Sequence, residues 1–517
     1  MKTFRIFIIC AIVVFAQSCK DELLNTAPTA DVSGEVIFKD ANAGYVALNG
    51  IYRMTYLSGW SIGNEHQNFG ITSTALFADL MGEDMVQHEQ GNGWFWYDYV
   101  YNVRSRYTTT SWRSYATWNF YYTLVSNVNY ILAAIDDDTP GDRSDVNNVI
   151  GQAYAMRAFA YFYLIQIFQK TYIGHENDPG VPLYTEPTSR ETKGNPRGTV
   201  QQVYTQINSD INKAIEYLQN ATPQQHKSHI DYYVANGIKT RIALVQGNWA
   251  EAETAAKAAL SKNGLSLAGR DDILNGFNSV DMRGVMWGAE VIEDQATIYA
   301  SFLAHMDSEI NMYAFSSRKC ISNWLYDQIP ATDSRKNWWK GLLAEDAQTG
   351  EDCSYVQLKF KWRSPGSYAS DYIYMRAEEM VVSLAEALCR QGKYTEARAQ
   401  LSNLGNVRDT RYAVRLASVS DDNTQSFTST GRPSTLLDEI LVQRRIELWC
   451  ETGRIFDILR LKKGFYRNWT ETNHPAAARL DPEKTNDPEW WDPILTIPQA
   501  EFDGNVNFSA DDQNGGL

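Results

Sequence analysis

The chain has 517 residues, 44% hydrophobic and 21% charged, which is ample for a sizeable core. Its formal charge of −15 becomes −17 once Lys2 and Arg5 leave with the leader, and no basic run offsets it, which argues against nucleic acid as a partner. Beyond the leader no stretch approaches the roughly 18 consecutive apolar residues of a membrane-spanning helix.

The N-terminus reads MKTFRIFIICAIVVFAQSCKDE. Two cations precede an apolar run from Ile6 to Ala16, the n- and h-regions of a secretory signal. Small Ala16 and Ser18 then lead into Cys19, which is followed by polar residues. This resembles a bacterial lipoprotein signal, whose cleavage leaves the cysteine as a lipid-bearing first residue. The expected organisation is a signal peptide over 1–18, a tether over 19–37 and a single domain over 38–517.

The spacing of Tyr45, Leu48, Ile51 and Tyr52 predicts a first helix ending near Met54. A second runs from Thr110 to Ile135 and stops at the acidic turn DDDTPGDR. The strongest helical pattern is NNVIGQAYAMRAFAYFYLIQIFQ, with Tyr154, Ala158, Tyr161, Ile165 and Phe168 on one stripe. Four prolines make DPGVPLYTEPTSRETKGNPRG a loop, and Thr199 is placed to cap the helix after it. Next, RIALVQGNWAEAETAAKAAL and AEALCRQGKYTEARAQLSNL share a glycine, an aromatic residue and Glu-Ala: Gly247, Trp249, Glu251 and Ala252 against Gly392, Tyr394, Glu396 and Ala397. Each reads as an alanine-rich helix, a tight turn and a second helix opened by an aromatic ring, which is the tetratricopeptide pattern. The fold class expected is mostly α: a tetratricopeptide-like scaffold with irregular loops and short strands packed on it. Its helical units fall at about 113–168, 199–260, 372–404 and 436–460, and an irregular ligand-binding insertion at about 261–371.

Four ordered blocks carry a family resemblance: the lipoprotein-like start; MRAFAYFYLIQIFQKTYIGHENDPGVPLYTEPT; LLDEILVQRRIELWCETGRIFDILRLKKG; and ILTIPQAEFDGNVNF. Together they resemble the SusD/RagB family of outer-membrane nutrient-binding lipoproteins, and the likeness spans essentially the whole chain. It implies a lipid-anchored, surface-exposed protein of the cell outer membrane, held there through Cys19. This protein would capture a nutrient, most often a glycan, for a SusC-like TonB-dependent transporter. It would be a binding protein and not an enzyme. Read from the residues, the blocks have structural work: Arg444 with Glu447 and Asp457 with Arg460 can pair across one helical turn, and Arg157 is an ion-pair donor.

The sharper site candidate is DLMGEDMVQHEQGNGWFWYDY. If the piece after the Gly91-Asn92-Gly93 turn is extended, Trp94 and Trp96 share one face, with Phe95 and Tyr97 on the other. Flat rings suit sugars, whose C–H faces lie on the ring while hydroxyls stay free for amides and acids. The resemblance points to the same aromatics. Trp287, Trp324, Trp338 and Trp339 in the central stretch are further ring candidates; Asp79, Asn92 and Asn323 are polar ones. Cys320, Cys353, Cys389 and Cys450 show no CxxC spacing, and the seven histidines form no paired ligand motif, so no metal or cofactor is expected. One or two disulfides are possible, although Cys389 and Cys450 sit in helical patterns that suit a small buried residue. A glycosidase needs two facing carboxylates, and neighbouring acids such as Glu83/Asp84 and Glu378/Glu379 are not that arrangement. The remaining alternatives are a peptide-binding uptake lipoprotein and a protein–protein scaffold.

Overall fold

The computed structural model describes residues 40–58, 65–102, 109–222, 226–344, 353–426 and 431–515; Cys19 and the leader lie outside them. The chain runs through α1 (Ala41–Met54), α2 (Ile71–Leu80), β1 (Met85–Gln87), α3 (Trp96–Tyr99), α4 (Trp112–Ala134) and α5 (Arg143–Phe168). Strands β2 (Pro179–Pro182) and β3 (Arg197–Thr199) precede α6 (Val200–Gln219), α7 (Tyr232–Gln246) and α8 (Trp249–Leu260). The central stretch holds β4 (Val285–Ala289), α9 (Phe302–Met306), α10 (Tyr313–Ser316), β5 (Lys319–Ile321) and α11 (Asn323–Asp327). After β6 (Tyr372–Arg376) come α12 (Ala377–Arg390), α13 (Tyr394–Arg408), α14 (Tyr412–Ala417), α15 (Leu436–Glu447), α16 (Arg454–Leu461) and the short tail helices α17 (Pro482–Thr485) and α18 (Gln499–Gly504). The protein is a mostly helical scaffold with short two-stranded pairings on it.

Helix α5 is the spine. Asp142 caps its first turn, and from Val146 onward nearly every side chain is buried because α1, α4 and α6 all pack on it. Arg157, inside this helix, makes a two-pronged pair with Asp210 of α6 at 2.8 and 2.7 Å and reaches Asn129 of α4, so it ties three helices together. Thr199 and Gln202 form a reciprocal capping box at the start of α6. The 199–260 region holds three helices, α6, α7 and α8, one more than a helical pair.

The two similar hairpins meet in space. α8 packs on α12, which gives a continuous stack α4–α5–α6–α7–α8–α12–α13, with α15 against α12. Gly247 (φ 67°) and Gly392 (φ 74°) both take the left-handed conformation at the turns, so glycine stands there for its backbone. Gln391 donates to the Trp249 carbonyl and to Glu253, and Lys393 also pairs with Glu253, which stitches one turn to the other. At the last unit, α16 packs on α2. There Asp457 pairs with Arg460 at 2.7 Å. Arg444 does not take Glu447; it pairs with Asp457 at 2.8 Å, because Glu447 turns into a different cluster.

That cluster joins the stack to the central stretch. Fully buried Glu447 lies 2.9 Å from Arg408, 3.1 Å from Arg376 and 3.2 Å from Arg335. Lys359 adds bonds to the carbonyls of Glu447 and Trp449. Three guanidinium groups outweigh the cost of burying the carboxylate and hold Glu447 well below the usual carboxylate range.

The central stretch overturns three ring candidates. Trp287 lies in β4, which pairs antiparallel with β6 (Val285 opposite Arg376, Ala289 opposite Tyr372). Its ring is fully buried between Phe159 and Tyr374, with the indole N–H donating to the Ser228 carbonyl. Trp338 is likewise buried, its N–H donating to the Ile273 carbonyl at 2.7 Å, and Trp339 packs beside it. None of the three offers a ring to ligand: an irregular chain still needs a core, and indoles fill it, with a carbonyl taking the N–H of Trp287 and of Trp338. Asp79 is corrected too. It is buried in α2 against the backbone N–H of Arg454, and burial followed by the charge of Asp84 raises its pKa well above the usual carboxylate range.

Candidate ligand-binding face

Strand β1 pairs antiparallel with β5, and the His88 N–H continues the ladder to the Arg318 carbonyl. The chain then leaves the sheet through Gly91 and Gly93, both at positive φ, and turns into α3. Phe95, also left-handed at φ 61°, is the pivot. Its N–H donates to the Gln67 side chain at 2.6 Å, and its ring is 0% exposed, set edge-on to His305 and under the Arg113 guanidinium. The run is therefore a turn entering a helix and not an extended piece. The two-residue alternation does not apply, because successive helical side chains are about 100° apart. The outcome for the rings is still clear: Phe95 anchors, Trp94 and Trp96 are half-buried, Tyr97 is 41% exposed, and Asn92 is exposed at the turn.

Trp94 stands beside His66 (ring centroids 5.1 Å) and edge-on to Tyr313 of α10 (5.8 Å). Tyr313 is fixed by a 2.9 Å bond between its hydroxyl and His66 Nδ1, and it stacks on buried His305. Beyond it lies Tyr299, 50% exposed and 5.5 Å away. Burial pushes the His305 pKa well down, so the ring beneath this arc is neutral. His66, Tyr299 and Tyr313 escape a sequence reading weighted toward tryptophan; the accessible signal was the tyrosine content of INMYAF and QATIYAS within the irregular stretch.

Trp96 contacts Tyr99, whose hydroxyl bonds His474, and His474 sits edge-on to half-buried Trp469. Trp469 donates its indole N–H to the Asn323 side-chain oxygen at 3.0 Å, and Asn323 also accepts from the Trp324 N–H and donates to the Glu471 carbonyl. Asn323 thus organises the 469–473 loop, which leaves it little capacity for a ligand. Trp324 is half-buried, with its indole N–H (distinct from the backbone N–H taken by Asn323) on the Gly431 carbonyl and the Arg445 guanidinium 4.5 Å from its ring. Trp469 is a ring the sequence reading missed.

The arrangement offers aromatic faces on a rigid base and an exposed amide. It does not offer the acidic neighbours singled out above, which are buried against arginines: Glu83 and Asp84 with Arg445 and Arg454, Glu378 with Arg376 and Arg408, Glu379 with Arg241. Clefts of about 510 and 560 Å³ lie elsewhere, one lined by Tyr52, His229 and Gln295 and the other by Arg411, Arg415 and Glu439, and neither includes Trp94, Trp96 or Tyr97. The rings lie outside both of these clefts.

Comparison with known proteins agrees with this architecture. Residues 61–244 match a SusD-like family described as starch-binding and associating with the outer membrane, and residues 330–515 match the SusD family. SusD-like protein P38 of Formosa agariphila is 23% identical over 94% of this chain and 95% of its own. A SusD-like carbohydrate-binding protein from Bacteroides vulgatus shares the fold with a TM-score of 0.75 at 23% identity, over 92% of this chain and 99% of that one. A laminarin-binding SusD-like protein does so with a TM-score of 0.66 at 20% identity, over 93% of this chain and 100% of that one. The chain belongs to the SusD/RagB family.

Proposed function

We propose that this protein is a non-catalytic glycan-binding lipoprotein of the outer cell surface, tethered through Cys19, that hands its ligand to a SusC-like TonB-dependent transporter. The observation that carries the binding reading is the pair Trp94 and Trp96, held half-exposed on either side of the buried Phe95 pivot. Tyr97, Asn92, Tyr299, Tyr313 and Trp324 extend that face. Structural neighbours described as carbohydrate-binding and laminarin-binding support a glycan as ligand. The burial of the acidic neighbours against arginines supports binding without hydrolysis. No helix among the described residues is long and apolar enough to cross a membrane, which suits attachment by lipid.

The test is calorimetry of the domain from residue 20 onward against a panel of polysaccharides and peptides. Each stacked ring is expected to contribute about 1 kcal/mol, and 1.4 kcal/mol is tenfold in affinity. Trp94→Ala or Trp96→Ala should therefore weaken glycan binding several-fold, and the double variant should take it below detection with helical content unchanged. Full glycan binding by the double variant overturns this site. Binding of peptides and of no glycan overturns the ligand class.

A further inference from the structure

Three segments converge behind the aromatic face. His88 follows β1; Cys320 sits in β5; and 355–357 lie along the other edge of β5, with Cys320 opposite Val356 and the Ile321 N–H donating to the Tyr355 carbonyl. Tyr355 takes a left-handed φ of 67°, and Cys353, two residues before it, brings its sulfur to 3.6 Å from that of Cys320, both residues buried. The two positions are 33 apart in sequence. Cys389 and Cys450 are different: Cys389 donates weakly to the Asp422 carbonyl, and Cys450 is buried where desolvation keeps its thiol protonated.

We propose that Cys320 and Cys353 close into a disulfide that pins β5, which leads into Asn323 and Trp324 and pairs with β1 ahead of the Trp94 loop, to the 353–357 segment along its other edge. The sulfurs are already in van der Waals contact, and closing to the bonded distance needs side-chain rotation of a kind disulfides tolerate. The site is also poised chemically. A hydrogen bond from Cys320, followed by one from His88, holds the Cys353 pKa below the usual thiol range, while the same shared hydrogen bond and burial raise that of Cys320. The Cys353 thiolate attacks one sulfur of an oxidised dithiol carrier, and the carrier's second sulfur leaves as a thiolate. Cys320 then attacks the Cys353 sulfur and expels the carrier. One sulfur–sulfur bond breaks as one forms, and the carrier gains two electrons and the two protons of the dithiol. Such carriers act outside the cytoplasm, so in the cell this step follows from the export proposed above. The chemistry itself can be tested without it.

The purified protein is incubated in a mixture of reduced and oxidised glutathione, quenched in acid, blocked with N-ethylmaleimide in denaturant and digested without reduction. The expected result is one species joining the Cys320 and Cys353 peptides, two hydrogens lighter than their sum, which separates on reduction, with the Cys389 and Cys450 peptides carrying maleimide. Recovery of the Cys320 and Cys353 peptides each with its own maleimide or glutathione overturns the proposal, as does pairing of either with another cysteine. As a second readout, reduction should lower the melting temperature of the parent by several degrees and leave a Cys320→Ser, Cys353→Ser variant unmoved. An equal response in both proteins overturns it. Neither readout involves glycan, so their failure is separate from failure of the binding site.

Discussion

The helical stack and the central stretch use the same residue types to different ends. In the stack, Trp249 opens a helix two residues after a left-handed glycine, behind the Asn248 cap, and its position follows from residues within one turn of chain. In the central stretch, Trp287 is placed by Phe159, Ser228 and Tyr374, none of them near it in sequence. Where packing is local, sequence position predicts the side chain's role. Where it is not, a tryptophan in a loop-rich segment is as apt to be core as ligand platform.

The largest expected effect lies at the seam between the regions. Glu447→Ala would leave Arg335, Arg376 and Arg408 buried without their shared carboxylate, which should cost about 5 kcal/mol. Urea unfolding measures it. A single cooperative transition at lower urea means one unit; two separated transitions would show that stack and central stretch unfold independently. Buried carboxylates at the seam and within the last helical unit set the acid limit. Glu447, Glu386, Glu451 and Asp457 all have pKa values below their unfolded ones, so the native state binds fewer protons. Their stabilisation is complete above the unfolded carboxylate range, about pH 4, and is lost as pH falls through their lower folded values. Asp79 has the opposite sign: its raised pKa makes the native state bind the extra proton, and that contribution fades as pH rises.

Next comes Trp287→Ala, which should cost about 4 kcal/mol through the cavity it leaves and show in the same urea titration. A cost near zero would mean the ring is not core, and would reopen the central stretch as a ligand platform. Gly392→Ala follows: the added methyl meets open space, so only the left-handed φ is penalised, at about 1 kcal/mol. A cost of several kcal/mol would mean the turn carries more than local conformation. Smallest is Asp79→Asn, which keeps an oxygen for the Arg454 N–H and removes a carboxyl whose ionisation burial disfavours. Its stability at pH 7 should lie within about 1 kcal/mol of the parent or above it.

These differences explain what was legible. Period and capping mark α1, α4 to α8, α12 and α13, because Thr199, Gly247 and Gly392 act on neighbours a few residues away; α2 escapes these signals, and α3 reads as extended in the sequence. The identity of the face was readable in part: the GNGWFWYDY run stands out by composition. Yet its shape depends on Gln67 capturing the Phe95 N–H, a contact across 28 residues that no spacing rule contains. Tyr313 meets Trp94 directly and is held there by His66 and His305, Tyr299 follows through Tyr313, and Trp469 arrives through Asn323 from 146 residues away. The Arg444 pairing failed for the same reason: three distant arginines outbid its neighbour for Glu447.

The contact of α8 with α12 means that the chain between Leu260 and Ala377 leaves the stack and returns to nearly the same place. A detour of this kind taxes folding mainly through the entropy of closing the loop, which grows only with the logarithm of its length. Lengthening or replacing the detour would change that term by a few tenths of a kcal/mol, on the order of 0.6 per doubling. The logarithm covers closure alone: within the detour Arg335 and Arg376 hold Glu447 and Trp287 packs on Phe159 of the spine, so its surface loops can be lengthened at little cost to the stack while its buried contacts cannot be exchanged.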